Sequence, residues 1–342
     1  MEKGYEFDDV LLVPRPSRID SRDDPDISVD IGSLHLDIPI IASPMKGIVG
    51  VELIKEIGRL GGIGILHRFW NEEIYREGAI RELYNSEVNF GVAIGIDDYE
   101  ILAPALALGA KLIVLDVANG YLNKVIQAVR FLRNYLNMHS LDTQLVVGNV
   151  VTLYGARKLK EAGADLVRVG IGNGSLCSTR SATGVGYPQF SAVRECSGRN
   201  LIYNELPILS SGIHNKPTIT VHSDVIENIA PTICDGGIKT SGDMAKALAA
   251  CADLVMLGSP LAITHEAETT DVIYGMASSM LSNYMGKEIK SVEGRELPAP
   301  KQTCSLEFLI NAFSYGLKSC MTYMDANNLS ELKENAKWVI TK

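Results

Sequence analysis

Short apolar runs rich in β-branched residues recur along the chain, with helical segments between them, and this pattern constrains the fold most strongly. Eight such runs predict strands at 39–42, 62–66, 89–94, 112–115, 144–147, 166–169, 232–234 and 254–257. The intervening segments space apolar residues three and four positions apart, as amphipathic helices do. The runs do not alternate strictly, as expected of parallel strands buried on both faces. We therefore predict an α/β fold, a closed (β/α)8 TIM barrel, as a single domain over residues 1–342.

The stretch 197–231 is longer than a barrel connection ordinarily needs and predicts an insertion before the seventh strand. We expect a surface excursion or a subunit contact there rather than a substrate lid, because most long insertions are not catalytic.

Composition and charge exclude several functional classes. The net charge of −9 argues against nucleic-acid binding, which needs a basic surface. No apolar run is long enough for a membrane span, and the first residues lack the apolar core of a signal peptide. Six cysteines show neither metal-ligand nor disulfide-framework spacing. We therefore expect a cytoplasmic protein that binds neither nucleic acid nor membranes.

The segment 170–189 holds five glycines around a single cysteine, Cys177, and is too rich in glycine to be helix or strand. Thr179 can exchange a proton with the sulfur, and the nearby charge of Arg180 can favour the thiolate. The alternative is a small buried apolar cysteine, as most free cysteines are. The loop favours a held nucleophile.

The unusual motifs of the chain all follow predicted strands, which in a barrel places them on the face that carries the chemistry. Asp116 follows the fourth strand, the Cys177 loop the sixth, and 235–237 the seventh. Glycines after the seventh and eighth strands, together with the helix opening near Ser241, are typical of a phosphate site.

Several of these motifs together resemble the IMP dehydrogenase and GMP reductase family. They are the Cys177 loop and the segments 7–14, 40–45, 235–237, 255–258, 274–276 and 318–323. They occur in the family's order and cover nearly the whole chain. The resemblance implies that Cys177 attacks C2 of a purine nucleotide and that the chain forms a homotetramer.

The resemblance also implies roles for particular residues. The catalytic residues would be Cys177, Thr179 and Glu293, with Glu293 and the Thr179 hydroxyl moving a proton to a departing amine. The nucleotide would contact Ser175, Asp235, Gly236, Gly237, Gly258, Ser259, Tyr274, Gly275, Met276, Ala277, Ser291 and Gly294. A surface position for Glu293 is the alternative.

NADPH is the cofactor that the resemblance implies. It would contact Ser21, Arg22, Arg68, Asp116, Val117, Ala118, Ile171, Gly172, Ser319 and Thr322, with the segment 319–322 supplied by a neighbouring subunit. Asp116 has an alternative role as a helix cap, and the arginines an alternative as solvated surface residues.

A monovalent cation, potassium, is the second group that the resemblance implies. Backbone carbonyls of Gly172, Gly174, Cys177 and Arg180 would bind it, since oxygen ligands suit a hard cation. A loop ordered by protein contacts alone is the alternative.

The segment 277–291 contains no arginine, so the Arg-Tyr pair that dehydrogenases of the family use for hydrolysis is missing. The segments 116–121, 148–152, 183–189 and 274–279 also resemble the reductase branch more closely. We therefore expect NADPH-dependent reductive deamination of GMP, or of dGMP, to IMP and ammonia. Oxidation of IMP to XMP with NAD and a catalytically silent regulatory barrel are the alternatives.

Four positions depart from the family pattern. Lys46 and Gly47 stand where Asp-Thr is more frequent, Asn173 replaces a usual proline, and Lys290 replaces a common arginine. These departures surround the expected substrate and cofactor.

Overall fold

The computed structural model describes residues 3–139, 141–198, 203–204, 218–219, 229–286 and 293–341. Within these residues, eight parallel strands close into a barrel. They are β1 (Ile40–Ala42), β2 (Ile63–Leu66), β3 (Phe90–Ile94), β4 (Leu112–Asp116), β5 (Gln144–Val150), β6 (Leu166–Val169), β7 (Thr232–Asp235) and β8 (Leu254–Leu257). Each overlaps its predicted run, so the prediction of a (β/α)8 barrel is confirmed.

One helix follows each barrel strand and packs outside it. These helices are α1 (Val51–Arg59), α2 (Glu73–Asn85), α3 (Leu102–Ala107), α4 (Asn123–Met138), α5 (Leu153–Ala162), α6 (Gln189–Cys196), α7 (Ser241–Ala249) and α8 (Leu306–Tyr323). In α1 the buried residues Leu53, Ile54 and Ile57 have the spacing of one helix face. No helix in the described part of the chain is long and apolar enough to cross a membrane.

Further short elements decorate the barrel. The short helices are Phe7–Asp9, Thr179–Thr183, Ser259–Ile263, Ser279–Tyr284 and Leu329–Asn335. The strands outside the barrel are Val10–Leu12, Val29–Ile31, Leu34–Leu36, Tyr203–Asn204, Thr218–Ile219, Val272–Tyr274, Glu296–Pro298 and Trp338–Ile340.

A hairpin closes the amino end of the barrel. Its strands, Val29–Ile31 and Leu34–Leu36, bury Ile31, Leu34 and Leu36 in the same apolar cluster as the inward side chains of the barrel strands. The turn comes within contact distance of Gln144, the first residue of β5. Because this end is filled, the opposite end, at the carboxyl ends of the strands, is left for a ligand.

A second, antiparallel sheet joins the two ends of the chain. Val10–Leu12 pairs with Trp338–Ile340, which also pairs with Thr218–Ile219 from the predicted insertion. Trp338 is fully buried against Phe190 of α6, with ring centres 4.6 Å apart. Most of 197–231 lies outside the described residues, so its role and the single-domain boundaries stay predictions.

Candidate active site

A cavity of about 650 Å³ opens at the carboxyl ends of the barrel strands. Most of the residues that the sequence singled out line it. They are Arg68, Asp116, Val117, Ala118, Ile171, Gly172, Gly174, Ser175, Cys177, Thr179, Asp235, Gly236, Gly237, Gly258, Ser259, Gly275, Met276, Ala277, Glu293 and Gly294. The side chains lie far apart in the sequence, and barrel closure brings them to one cavity.

Six of the predicted residues do not line this cavity: Ser21, Arg22, Tyr274, Arg180, Ser319 and Thr322. The turn around Ser21 lies against α8 instead, where Lys318 donates to the Asp23 carbonyl at 3.3 Å. Tyr274 is buried in a small apolar cluster. Ser291 lies outside the described residues.

A thiol, a hydroxyl and a carboxylate form a hydrogen-bonded chain in the cavity. The Cys177 Sγ is 3.1 Å from the Thr179 Oγ1. That hydroxyl donates to the Glu293 Oε2 at 3.0 Å. The sulfur and the carboxylate are therefore joined through one hydroxyl that can pass a proton between them.

Backbone pairing holds Glu293 in this place. The Glu293 carbonyl accepts from the Ser178 amide at 2.8 Å, and its amide donates to the Ala277 carbonyl at 3.2 Å. A side chain on Gly275 would place its Cβ 2.4 Å from the Leu176 carbonyl oxygen. The glycine is required because the 275–277 turn, the segment after Glu293 and the Cys177 loop pack backbone to backbone.

Glycines and serines form the expected phosphate end of the cavity. Gly236 and Gly237 have φ values of 92° and 79°, in the left-handed region that favours glycine. The Ser175 hydroxyl donates to the Ser259 hydroxyl at 2.7 Å, which joins the Cys177 loop to the turn after β8. These backbone turns and hydroxyls suit an anionic group.

The start of α7 carries its own cap. The Thr240 hydroxyl caps the helix by accepting from the Asp243 amide at 3.2 Å. The Asp243 carboxylate in turn accepts from the Thr240 amide at 3.1 Å. Thr240 and Asp243 thus form a capping box, and Lys239, just before it, lines the cavity while Ser241 does not. A contact between this helix start and a phosphate stays a prediction.

An ion-pair network beneath the cavity was missed by the sequence analysis. Arg168, on β6, reaches Asp116 at 2.7 Å and Asp235 at 2.8 Å. Arg68 adds a second contact to Asp116 at 3.3 Å, and the Asn149 amide donates to Asp235 at 2.8 Å. An arginine inside an otherwise apolar strand was the available signal, because charged residues are buried only when paired.

Electrostatics keep this network ionised. Burial alone would raise the pKa of Asp116, but Arg168 and Arg68 outweigh it and hold the pKa below its ordinary value. Burial would lower the pKa of Arg168, yet Asp235 and Asp116 raise it above its ordinary value. Asp116 does not cap α4, which begins at Asn123 with Leu122 as the N-cap residue.

The other charged residue expected near the sulfur has a different partner. The Arg180 guanidinium pairs with the Glu6 carboxylate at 2.6 Å and donates to the Tyr187 carbonyl at 2.6 Å. We expected the Arg180 charge to favour the Cys177 thiolate. Because the Glu6 carboxylate pairs with the guanidinium, any effect of that charge on the thiol is weakened.

Two further cysteines differ from Cys177 in their surroundings. Burial raises the pKa of Cys234 to about 12 and that of Cys320 to about 11, so both are thiols at neutral pH. Cys177 is only partly buried, lines the cavity and has a proton-exchanging partner. A role as an inert core residue does not explain this setting.

Metal-binding side chains do not cluster anywhere in the described ranges, where no group of three His, Cys, Asp or Glu residues is placed to hold an ion. The carbonyls of the Cys177 loop are a different kind of donor. Those of Gly174 and Arg180 already accept from the amides of Cys177 and Gly184, each at 3.0 Å, and each has a second lone pair.

The fold and the site together define a class: a (β/α)8 barrel protein with a partly buried thiol, hydrogen-bonded to a hydroxyl, in a cavity at the carboxyl ends of the strands. A family model described as IMP dehydrogenase / GMP reductase domain matches residues 4–342, and the chain belongs to this family.

Relatives named GMP reductase match nearly the whole chain. The protein of Onchocerca volvulus is 30% identical, over 99% of this chain and 91% of its own length. That of Buchnera aphidicola is 30% identical, over 97% and 93%. That of Streptococcus agalactiae is 29% identical, over 99% and 95%. The predicted family is confirmed.

Proposed function

We propose that this protein is a GMP reductase that converts GMP to IMP and ammonia with NADPH. The observation that carries the proposal is the chain from Cys177 through Thr179 to Glu293, with contacts of 3.1 and 3.0 Å. The relatives named GMP reductase support the same direction of reaction.

The first half-reaction replaces the amine of the substrate by the enzyme sulfur. The Cys177 sulfur attacks C2 of the purine, and its proton passes through the Thr179 hydroxyl to Glu293. Glu293 delivers the proton to the exocyclic amine, the carbon–nitrogen bond breaks, and ammonia leaves. A thioimidate between Cys177 and C2 remains.

The second half-reaction restores the thiol. NADPH supplies a hydride to C2 when it is bound. As the carbon–sulfur bond breaks, the Cys177 thiolate leaves and takes up a proton, and IMP is released. Asp116 and Arg68 line the cavity beside Val117 and Ala118, and this polar edge suits the hydroxyls and phosphates of a dinucleotide.

Potassium belongs to the proposal as an ordering ion for the loop. The carbonyls of Gly172, Gly174, Cys177 and Arg180 would hold it, since a glycine-rich turn can bring several oxygens together. Gly172, with φ at 80°, allows such a turn.

A nicotinamide assay tests the proposal. The purified protein is mixed with GMP and NADPH, with dGMP and NADPH, or with IMP and NAD, and the absorbance of the reduced nicotinamide is followed. We expect loss of absorbance with GMP. A gain of absorbance with IMP and NAD would identify a dehydrogenase instead. No change of absorbance in any mixture would favour the catalytically silent regulatory barrel.

Matched variants connect the activity to the site. Cys177→Ala is expected to abolish turnover while GMP still binds. Cys304→Ala, at a partly buried cysteine outside the cavity lining, should keep normal turnover. Thr179→Val breaks the proton path and Thr179→Ser keeps it, so only the valine variant should lose activity. Mass spectrometry of quenched enzyme should find the nucleotide on Cys177.

A further inference from the structure

Lys46, one of the departures from the family pattern, lies between two aromatic rings beside the cavity. Its Nζ is 4.1 Å from the ring centre of Tyr284 and 5.7 Å from that of Trp70. Both distances are within the range in which a cation is attracted to the face of an aromatic ring. Met45, the preceding residue, lines the cavity.

The barrel side of this contact is rigidly held. Trp70 stacks on His67 with ring centres 5.0 Å apart and an interplanar angle of 19°. Its Nε1 donates to the His67 carbonyl at 2.8 Å. His67 is 1% exposed, so the ring beneath Trp70 belongs to the core. The Trp70 ring is therefore held on the barrel side, and the Lys46 Nζ lies between it and the Tyr284 ring.

The other side of the contact is the short helix Ser279–Tyr284, of which Tyr284 is the last residue. The start of this helix is tied to the strand that follows Glu293. The Glu296 carboxylate accepts from the Ser279 hydroxyl at 2.6 Å and from the Met280 amide at 2.8 Å. Helix and strand are thus one connected unit, and Lys46 contacts its far end.

We propose that Lys46 is a positioning residue, whose contact with the Tyr284 ring anchors the helix Ser279–Tyr284 to the barrel and thereby keeps Glu293 against Thr179. A side chain without a positive charge has no such attraction for the face of a ring. The kinetic part of the inference rests on the proposed function, and the structural part does not.

Hydrogen exchange tests the structural part without any turnover. Lys46→Met removes the charge and keeps the length, while Lys46→Arg keeps the charge. Tyr284→Leu removes the ring, while Tyr284→Phe keeps it. We expect exchange of the 281–286 amides to become about two- to fivefold faster in the methionine and leucine variants, in line with the strength of such contacts. The arginine and phenylalanine variants should match the native protein.

Thiol alkylation links the anchor to the site. Iodoacetamide modification of Cys177, followed by peptide mass spectrometry, reports how well the Thr179–Glu293 pair is aligned with the sulfur. Lys46→Met and Tyr284→Leu should each change the rate about two- to fivefold. The double variant should change it no further, because both substitutions remove the same contact.

Kinetics complete the test. With GMP and NADPH, Lys46→Met and Tyr284→Leu should lower kcat about two- to fivefold while KM for GMP changes less than twofold. Unchanged exchange and alkylation in Lys46→Met and Tyr284→Leu, or additive effects in the double variant, would overturn the inference. If the native protein does not reduce GMP, the proposed function fails, and exchange and alkylation still decide the role of Lys46.

Discussion

Replacing Arg168 by methionine removes the cation that joins two carboxylates beneath the cavity. The Arg168 side chain is 7% exposed, and it contacts Asp116 at 2.7 Å and Asp235 at 2.8 Å. Methionine has a similar length and no charge, so both carboxylates lose their closest partner while little volume is lost. The free energy of unfolding should therefore fall mainly because charge is left buried.

The expected decrease in the free energy of unfolding depends on the contacts that the two carboxylates keep in the variant. Removing one partner of a buried ion pair costs about 3–5 kcal/mol. Asp116 keeps Arg68 at 3.3 Å, and Asp235 keeps the Asn149 amide at 2.8 Å. Since each carboxylate retains one contact, we expect the lower end, about 3 kcal/mol at pH 7.

The pH dependence of the loss identifies its origin. In the native protein the arginines hold the pKa of Asp116 below its ordinary value, so the stability that it contributes is present above that value and is lost on acidification. In the variant, burial raises the pKa of the same carboxyl, so protonation at lower pH relieves the penalty. The difference between the two proteins should therefore shrink as the pH falls from 7 to 3.5, below the ordinary pKa of an aspartate.

Urea unfolding followed by circular dichroism at pH 7 and pH 3.5 measures both effects. Arg168→Lys, which keeps the charge, should lose less stability than Arg168→Met. Adding Asp116→Asn and Asp235→Asn to Arg168→Met should restore at least about 1 kcal/mol, because neither carboxylate is then left charged without Arg168. A loss below about 1 kcal/mol at pH 7, or one that does not shrink at pH 3.5, would refute the reasoning.

Three further substitutions test other parts of the structure. Gly275→Ala puts a Cβ 2.4 Å from the Leu176 carbonyl oxygen. We therefore expect the free energy of unfolding, measured by thermal unfolding, to fall by about 1–3 kcal/mol and turnover to decrease. Stability and turnover equal to those of the native protein would show that the turn can relax. Phe190→Ala opens a cavity against Trp338 and should cost about 3–5 kcal/mol in urea unfolding, and a cost under 1 kcal/mol would contradict the packing. His67→Gln tests a buried neutral imidazole, whose pKa is lowered to about 3, chiefly by burial. In the unfolded chain His67 takes up a proton near pH 6.5, so the stability of the native protein falls by up to about 1.4 kcal/mol per pH unit as the pH drops from 6.5 toward 3. The stability of the glutamine variant should fall less steeply with pH. Equal slopes in the two proteins would contradict the assignment of a buried neutral imidazole.

Sequence pattern predicted the barrel well because each strand carries its own local signal. Runs such as 112–115 and 254–257 are short, apolar and bounded by helical segments, and eight units that alternate strand and helix are the pattern of a closed parallel barrel. The Cys177 loop was equally visible, since five glycines around one cysteine exclude regular structure.

Contacts between residues far apart in the chain were harder to predict from the sequence. Arg168 was hidden within an apolar run, and its two carboxylates come from β4 and β7. Arg180 stands near Cys177 in sequence, but its guanidinium pairs with Glu6, 174 residues away. Proximity along the chain was therefore a poor guide to the partner of a long charged side chain.

By itself, the sequence determined the alternation of strands and helices and the loop that holds Cys177, because period and glycine content act over a few residues. The tertiary structure decided which side chains meet: Thr179 with Glu293, Arg168 with two aspartates, and Lys46 with Tyr284. These contacts depend on closure of the barrel and on backbone pairing between segments far apart in the chain. They could therefore not be predicted from the local sequence around each residue.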